Sequence, residues 1–165
     1  MRYWLTVAAI WVCGFAALGK PPESPVRLRI GVIASPTVHA GDSVVVKIPI
    51  VVSPGYHVNA NPAASDDYIP LEVSFDTTTT GLRAGKVIYP SGKKWRLEGT
   101  AGDLLVYGGD IEVQVPLVIE RGTGPGEHVL KGTVDFQACD NHVCFLPESR
   151  PLTVTIKVSE ETNSR

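Results

Sequence analysis

From Val26 onward apolar and polar residues alternate along the chain, and no stretch of eleven or more residues carries the 3.6-residue period of a helix. The clearest run is residues 43–53, where Val44, Val46, Ile48, Ile50 and Val52 fall on one face and only an extended backbone makes them a continuous apolar surface. Pro49 lies on the other face and has no N–H to give a neighbouring strand, which predicts an edge strand or a bulge there. Shorter versions of the pattern predict strands near residues 26–33, 56–59, 71–75, 85–89, 110–119, 128–138 and 152–158. Turn chemistry separates them: Gly41-Asp42, Pro54-Gly55, Ser91-Gly92, Gly108-Gly109 and the glycine-rich residues 122–126. About eight short strands with Gly and Pro punctuation predict an all-β, antiparallel β-sandwich of immunoglobulin-like type, without the Cys, Trp, Cys spacing of antibody domains. Two long stretches, residues 60–69 and 93–105, show no period and read as irregular loops, where sandwiches often carry function.

The N-terminus departs from this pattern. Arg2 precedes an almost wholly apolar run at residues 3–18, and Ala17-Leu18-Gly19 offers small residues for cleavage, so residues 1–19 read as an export signal. The run is shorter than the roughly 20 residues of a membrane-spanning helix, and no later segment is long enough to span once the signal has gone. Cys13 would leave with the signal, because Val12 is not the small residue that precedes a lipid-attachment cysteine. Residues 20–25 form a Pro-rich leader, residues 26–158 the domain, and residues 159–165 a polar tail expected to be disordered. The domain is long enough to bury a core without disulfides. Fifteen basic against seventeen acidic residues, with no basic block, exclude nucleic acid as the expected partner.

Export implies an oxidising compartment, and there the two remaining cysteines, Cys139 and Cys144, are expected to pair. In the preceding strand Leu130, Val134, Phe136 and Ala138 are apolar or small, while Lys131, Thr133, Asp135 and Gln137 are polar, so parity puts Cys139 on the outer face. A four-residue connection would set Cys144 opposite Cys139 across a hairpin. Opposed antiparallel residues have Cα atoms about 4.5 to 5.5 Å apart, within the reach of a disulfide. Continued without interruption, that register would oppose outward Lys131 to inward Leu152, so an irregularity is expected between residues 145 and 151, where Pro147 and Pro151 stand. A loop this short stabilises by only roughly 2 kcal/mol in the chain-entropy model, which makes a purely structural staple a weak use of the bond. Asp140 would raise a neighbouring thiol pKa by like-charge repulsion, and His142, when protonated, would stabilise a thiolate.

The segment Phe136-Gln137-Ala138-Cys139-Asp140-Asn141-His142-Val143-Cys144-Phe145-Leu146-Pro147 resembles the N-terminal periplasmic domain of the thiol:disulfide interchange protein DsbD. Gly55-Tyr56-His57-Val58-Asn59, Ile69-Pro70-Leu71-Glu72-Val73, Val87-Ile88-Tyr89-Pro90 and Val106-Tyr107-Gly108-Gly109 look like further segments of that family in the same order, so the resemblance covers residues 26–158. It implies an immunoglobulin-like domain whose two cysteines, Cys139 and Cys144, are redox-active and shuttle between dithiol and disulfide. Electrons would come from a thioredoxin-like or membrane-embedded thiol donor and pass to periplasmic thiol-disulfide proteins. The resemblance further implies a flexible cap loop over the pair, by position near residues 103–108 and including Val106, Tyr107 and Gly108, with Val106 where an aromatic residue would be expected. His57 and Asn59 correspond to positions that approach the cysteines from a neighbouring strand, with different chemistry from the tyrosines expected there. No membrane or thioredoxin-like domain is read in these residues, so a separate donor is implied.

Two other classes of function stay open on the sequence. One is a non-catalytic immunoglobulin-like binding module in which the disulfide only staples a hairpin. The other is a soft-metal site drawn from Cys139, Cys144, His142 and His57, although no second Cys or His pair gives a structural zinc spacing; the expectation is no metal and no cofactor. Hydrolytic chemistry finds no motif: His39 and His128 lack partners, and Asp66-Asp67 reads as a solvated loop pair.

Overall fold

The computed structural model describes residues 38–76, 81–96 and 102–160. The expected signal, leader and first strand, the threonine run at residues 77–80 and the end of the tail lie outside the described residues. Among the described residues the elements are ten strands: β1 (Ser43–Val52), β2 (His57–Asn59), β3 (Glu72–Phe75), β4 (Leu82–Ala84), β5 (Lys93–Trp95), β6 (Leu104–Tyr107), β7 (Gly109–Ile119), β8 (Gly126–Phe136), β9 (Ala138–Cys139) and β10 (Glu148–Val158). They form an antiparallel, immunoglobulin-like sandwich. One sheet has the order β1-β7-β4, the facing sheet β10-β8-β3, and a smaller sheet at one end the order β5-β6-β2-β9.

Alternation places the core as expected. Val46, Ile48, Ile50 and Val52 of β1 meet Val113, Val115, Leu117 and Ile119 of β7 on the inner face of one sheet, and Leu130, Val134 and Phe136 of β8 with Leu152, Val154 and Ile156 of β10 supply the other. Each such side chain contributes about 1.5 to 3 kcal/mol by leaving water. Among the described residues β1 pairs only with β7, so Pro49 costs no ladder bond on its other side.

Three expectations about the elements need correction. Residues 85–89 are not a strand: β4 runs beside β7 up to Ala84, and beyond it regular pairing does not continue. Gly85 N donates to Pro116 O at 2.7 Å, but Pro116 has no N–H to return, and pairing resumes only at Ile88, which exchanges bonds of 2.8 and 2.9 Å with Gln114. Residues 93–105 are not one irregular loop: they contain β5 and the start of β6, strands of three and four residues, too short to show a period. The run expected as one strand at residues 128–138 splits at Gln137, where the chain leaves the β8–β10 ladder and enters the small sheet as β9. Residues 60–69 are irregular, as expected, and Asn61 ties them down: its side chain donates to Leu71 O at 3.0 Å.

A candidate redox site at the end of the small sheet

The small sheet sorts its residues by face. Val58 on β2 lies opposite Tyr107 of β6 and Ala138 of β9, and these three join the core. On the other face His57 lies opposite Cys139, and Asn59 opposite Val106. Parity thus put Cys139 on the correct face, since the odd and even phase of β8 survives the break at Gln137. The expected exposure does not follow: Cys139 is 3% exposed, because this outer face is itself covered. Cys144 stands over it across the hairpin, with Cα atoms 4.0 Å apart and the sulfurs bonded. Cys144 is exposed. One cysteine of the bonded pair is therefore buried and the other exposed.

The turn between them is held by its own backbone. Asp140 N donates to Val143 O at 3.0 Å, and Phe145 N to Ala138 O at 2.8 Å, bracketing the disulfide. Asp140 Oδ1 accepts the N–H groups of His142 at 2.7 Å and Val143 at 2.8 Å. Those bonds, Val143's foremost, hold the Asp140 carboxyl below the ordinary carboxylate range, with smaller help from the imidazoles of His142 and His57. Asp140 thus shapes the turn as well as charging it. His142 points outward, its side chain 86% exposed and its Nδ1 3.9 Å from Asp140 Oδ1.

The expected irregularity lies where the register argument put it. Cys139 pairs with Cys144, but Phe136 pairs with Glu148, so the register shifts by one residue, absorbed at Leu146 and Pro147. Lys131 then faces Thr153, and Leu152 faces Gly132, which resolves the conflict. Pro151 is no break: it stays in β10 opposite Thr133, where among the described residues β10 pairs with β8 alone, so the missing N–H is tolerated. Gln137 Nε2 bridges the irregular segment to Phe145 O at 2.9 Å. Leu146, 82% exposed, and Val143 stand as an apolar rim beside the pair.

The expected cap is a strand. Residues 104–107 are β6, in the interior of the small sheet, with Val106 and Tyr107 both buried. Tyr107 faces the core, where its hydroxyl donates to Pro90 O at 2.8 Å and accepts Asn61 N–H at 3.1 Å. Burial raises its pKa, which the Asn61 bond partly offsets. Gly108 closes β6, and Gly109, at φ 71°, turns the chain into β7. Asn59 is tied by its side chain to Ile69 O at 3.1 Å and does not pair with the cysteine strand.

What sequence reasoning missed is the cover that β5 gives His57. The Trp95 ring lies 5.2 Å from that of His57, and Lys93, Lys94, Trp95, Tyr56 and Asn141 line a cleft of about 360 Å³ over His57 and Val106. A lone Trp after two Lys was the only signal available. Phe145, the residue after Cys144, packs at 6.0 Å from Tyr56. His57 is 4% exposed, and burial pushes its pKa below the ordinary histidine value, with Asp140 opposing. Among the described residues no group of three or more His, Cys, Asp or Glu side chains is placed to hold a metal ion, and no helix is long and apolar enough to cross a membrane.

Residues 31–156 match the family described as thiol:disulfide interchange protein DsbD, N-terminal. Similar solved structures include the Neisseria meningitidis DsbD N-terminal domain in the reduced form, 17% identical, covering 84% of this chain and 90% of that one with a TM-score of 0.48. The seventh ScaB type I cohesin from Pseudobacteroides cellulosolvens is 11% identical, with coverage of 84% and 96% and a TM-score of 0.48. A complex between the DsbD N-terminal and PilB N-terminal domains of Neisseria meningitidis gives 17% identity, coverage of 81% and 85%, and a TM-score of 0.46. No curated protein matches by sequence.

Proposed function

The chain belongs to the DsbD N-terminal domain family, and from that premise we propose that it is an exported thiol-disulfide exchange module that carries electrons through Cys139 and Cys144. The observation that carries this reading is the asymmetry of the pair: an exposed Cys144 bonded to a covered Cys139 at the point where the sheet loses its register. A staple needs neither the exposure nor the irregular setting.

In the proposed cycle a donor thiolate attacks Cys144 Sγ and forms a mixed disulfide, while Cys139 leaves as a thiolate under its cover. A second donor thiol then attacks the mixed disulfide, releases the oxidised donor and leaves a dithiol, so two electrons and two protons have arrived. Run in reverse against an oxidised client, the dithiol returns to the disulfide. The donor would be a thioredoxin-like domain or a membrane-embedded thiol protein, and the clients exported thiol-disulfide proteins of the periplasm, reached through the N-terminal signal. Val143 and Leu146 would give either partner an apolar seat beside the attacked sulfur.

Two measurements test this. The reduction potential of the pair is expected above about −300 mV, the level below which structural disulfides lie. A Cys139→Ser chain, its Cys144 left free, should trap mixed disulfides with thioredoxin-like proteins of a periplasmic extract. A potential well below that level together with no trapped partner would reduce the bond to a staple and leave a binding module.

A further inference from the structure

We infer that His57 is the proton acceptor for Cys139, taking the thiol proton when Cys139 attacks a mixed disulfide held on Cys144. The inference rests on the exchange reading and adds the route of the proton. His57 is the direct cross-strand partner of Cys139 on the covered face of the small sheet, and Cβ atoms of such pairs lie about 4.5 to 5.5 Å apart. Its ring packs against Trp95 at 5.2 Å, which keeps it over the sheet. Asp140, the residue after Cys139, interacts electrostatically with His57 through a carboxylate that stays ionised, so an imidazolium formed there has a counter-charge.

Burial leaves His57 as a free base at neutral pH. Burial is the larger influence on its pKa and lowers it; Asp140 raises it by less. Lys93 and Lys94 line the same cleft from β5. His142 lies beyond Asp140 in solvent. A neutral imidazole beside a thiol is the protonation state a general base needs.

The step balances without a further reactant. With Cys144 bonded to a partner sulfur, His57 takes the proton of the Cys139 thiol. The thiolate electron pair forms the Cys139–Cys144 bond, the bond from Cys144 to the partner sulfur breaks, and the partner leaves as a thiolate carrying that pair. The imidazolium then returns its proton to the departing thiolate or to water. The cysteine pair is oxidised and the partner sulfur reduced.

Glutathione disulfide separates the two steps in the intact, reduced chain. Formation of the Cys144 mixed disulfide and its resolution by Cys139 would be followed by acid quenching and mass spectrometry across roughly pH 5 to 9. In His57→Gln the first step should stay within about twofold of wild type, while resolution slows by about tenfold to a hundredfold near pH 7 and the glutathionylated chain accumulates. In the wild-type chain, resolution should lose rate on acidification through a titration below about 6.5 that the first step lacks, a readout that does not depend on how well the variant folds. Resolution in His57→Gln as fast as in wild type, equal slowing of both steps, or a wild-type resolution profile without that titration would each overturn the inference alone. A wild-type chain that forms no mixed disulfide at all would overturn the exchange reading with it.

Discussion

The β8–β10 ladder and the hairpin end that continues from it are built from one stretch of chain, yet they follow opposite rules. Along the ladder one register runs from Gly126 opposite Val158 to Phe136 opposite Glu148, and alternate side chains enter the core. Beyond Gln137 the register shifts by one residue, neighbouring Ala138 and Cys139 are both buried, and the chain joins a different sheet. Regular pairing supplies stability through repetition. The irregular end gives up some of that repetition, and in return one cysteine is buried and the other exposed. Stability and chemistry are thus separated along a few residues, and each prediction below tests how complete that separation is.

The largest effect is expected at the junction. Phe136 is the last residue of the ladder, 1% exposed and among the largest fully buried side chains. Phe136→Ala should cost about 3 to 5 kcal/mol through lost transfer energy and the cavity left behind, read as a lowered urea midpoint with an unchanged slope. A cost below about 1 kcal/mol would mean that the ladder does not carry the domain.

Replacing both cysteines by Ser should cost about 2 kcal/mol, because only a short loop is closed. The fold should remain, with the β8–β10 hydrogen bonds as protected from exchange as in the wild type. Global unfolding of the double variant would show that the irregular end holds the ladder together. That outcome would reverse the comparison.

Tyr107→Phe probes the small sheet from its core side. It deletes a hydroxyl bonded to Pro90 O and Asn61 N–H, leaving part-buried groups unpartnered, and should cost about 1 to 2 kcal/mol. Since Tyr107 faces away from the cysteines, the rate of mixed-disulfide formation at Cys144 should change little. A large change in that rate with little change in stability would restore Tyr107 to the role of a cap.

The sequence revealed what repeats. The face of β1, the sandwich class and the side of Cys139 all follow from a two-residue period, which survives wherever one face of a strand is buried. The displaced register was also legible, because Lys131 and Leu152 cannot share a face. β5 and β6 were not, since strands of three and four residues leave no period to count. The burial of Cys139 was hidden for a related reason: its cross-strand neighbour His57 and the Trp95 ring packed on that histidine come from separate strands, and local parity records which way a side chain points but not what lies above it. Reading residues 103–108 as a loop failed because Val106 and Tyr107 are buried on opposite faces of a central strand, where both neighbours in sequence are apolar.

The smallest effects are those of pH, and for two neighbouring groups they share a sign but differ in window. His57 has a lowered folded pKa, so on acidification the unfolded chain takes up its proton first. The stability tied to neutral His57 is present above about 6.5 and is lost as pH falls from there towards the folded value. Asp140 also has a lowered folded pKa, but as an acid whose ionised form the turn prefers. Its contribution is present above about 3.9 and disappears as pH falls through the folded value. A urea series should therefore show two separate losses, the upper abolished by His57→Gln and the lower weakened by Asp140→Asn. His57→Gln should leave the lower loss nearly in place, since the two backbone N–H groups, not the imidazole, are the main support of the Asp140 charge. If His57→Gln removed both losses, the turn would depend on the imidazole, and the hairpin end would be one coupled unit rather than a backbone-held turn with a histidine beside it.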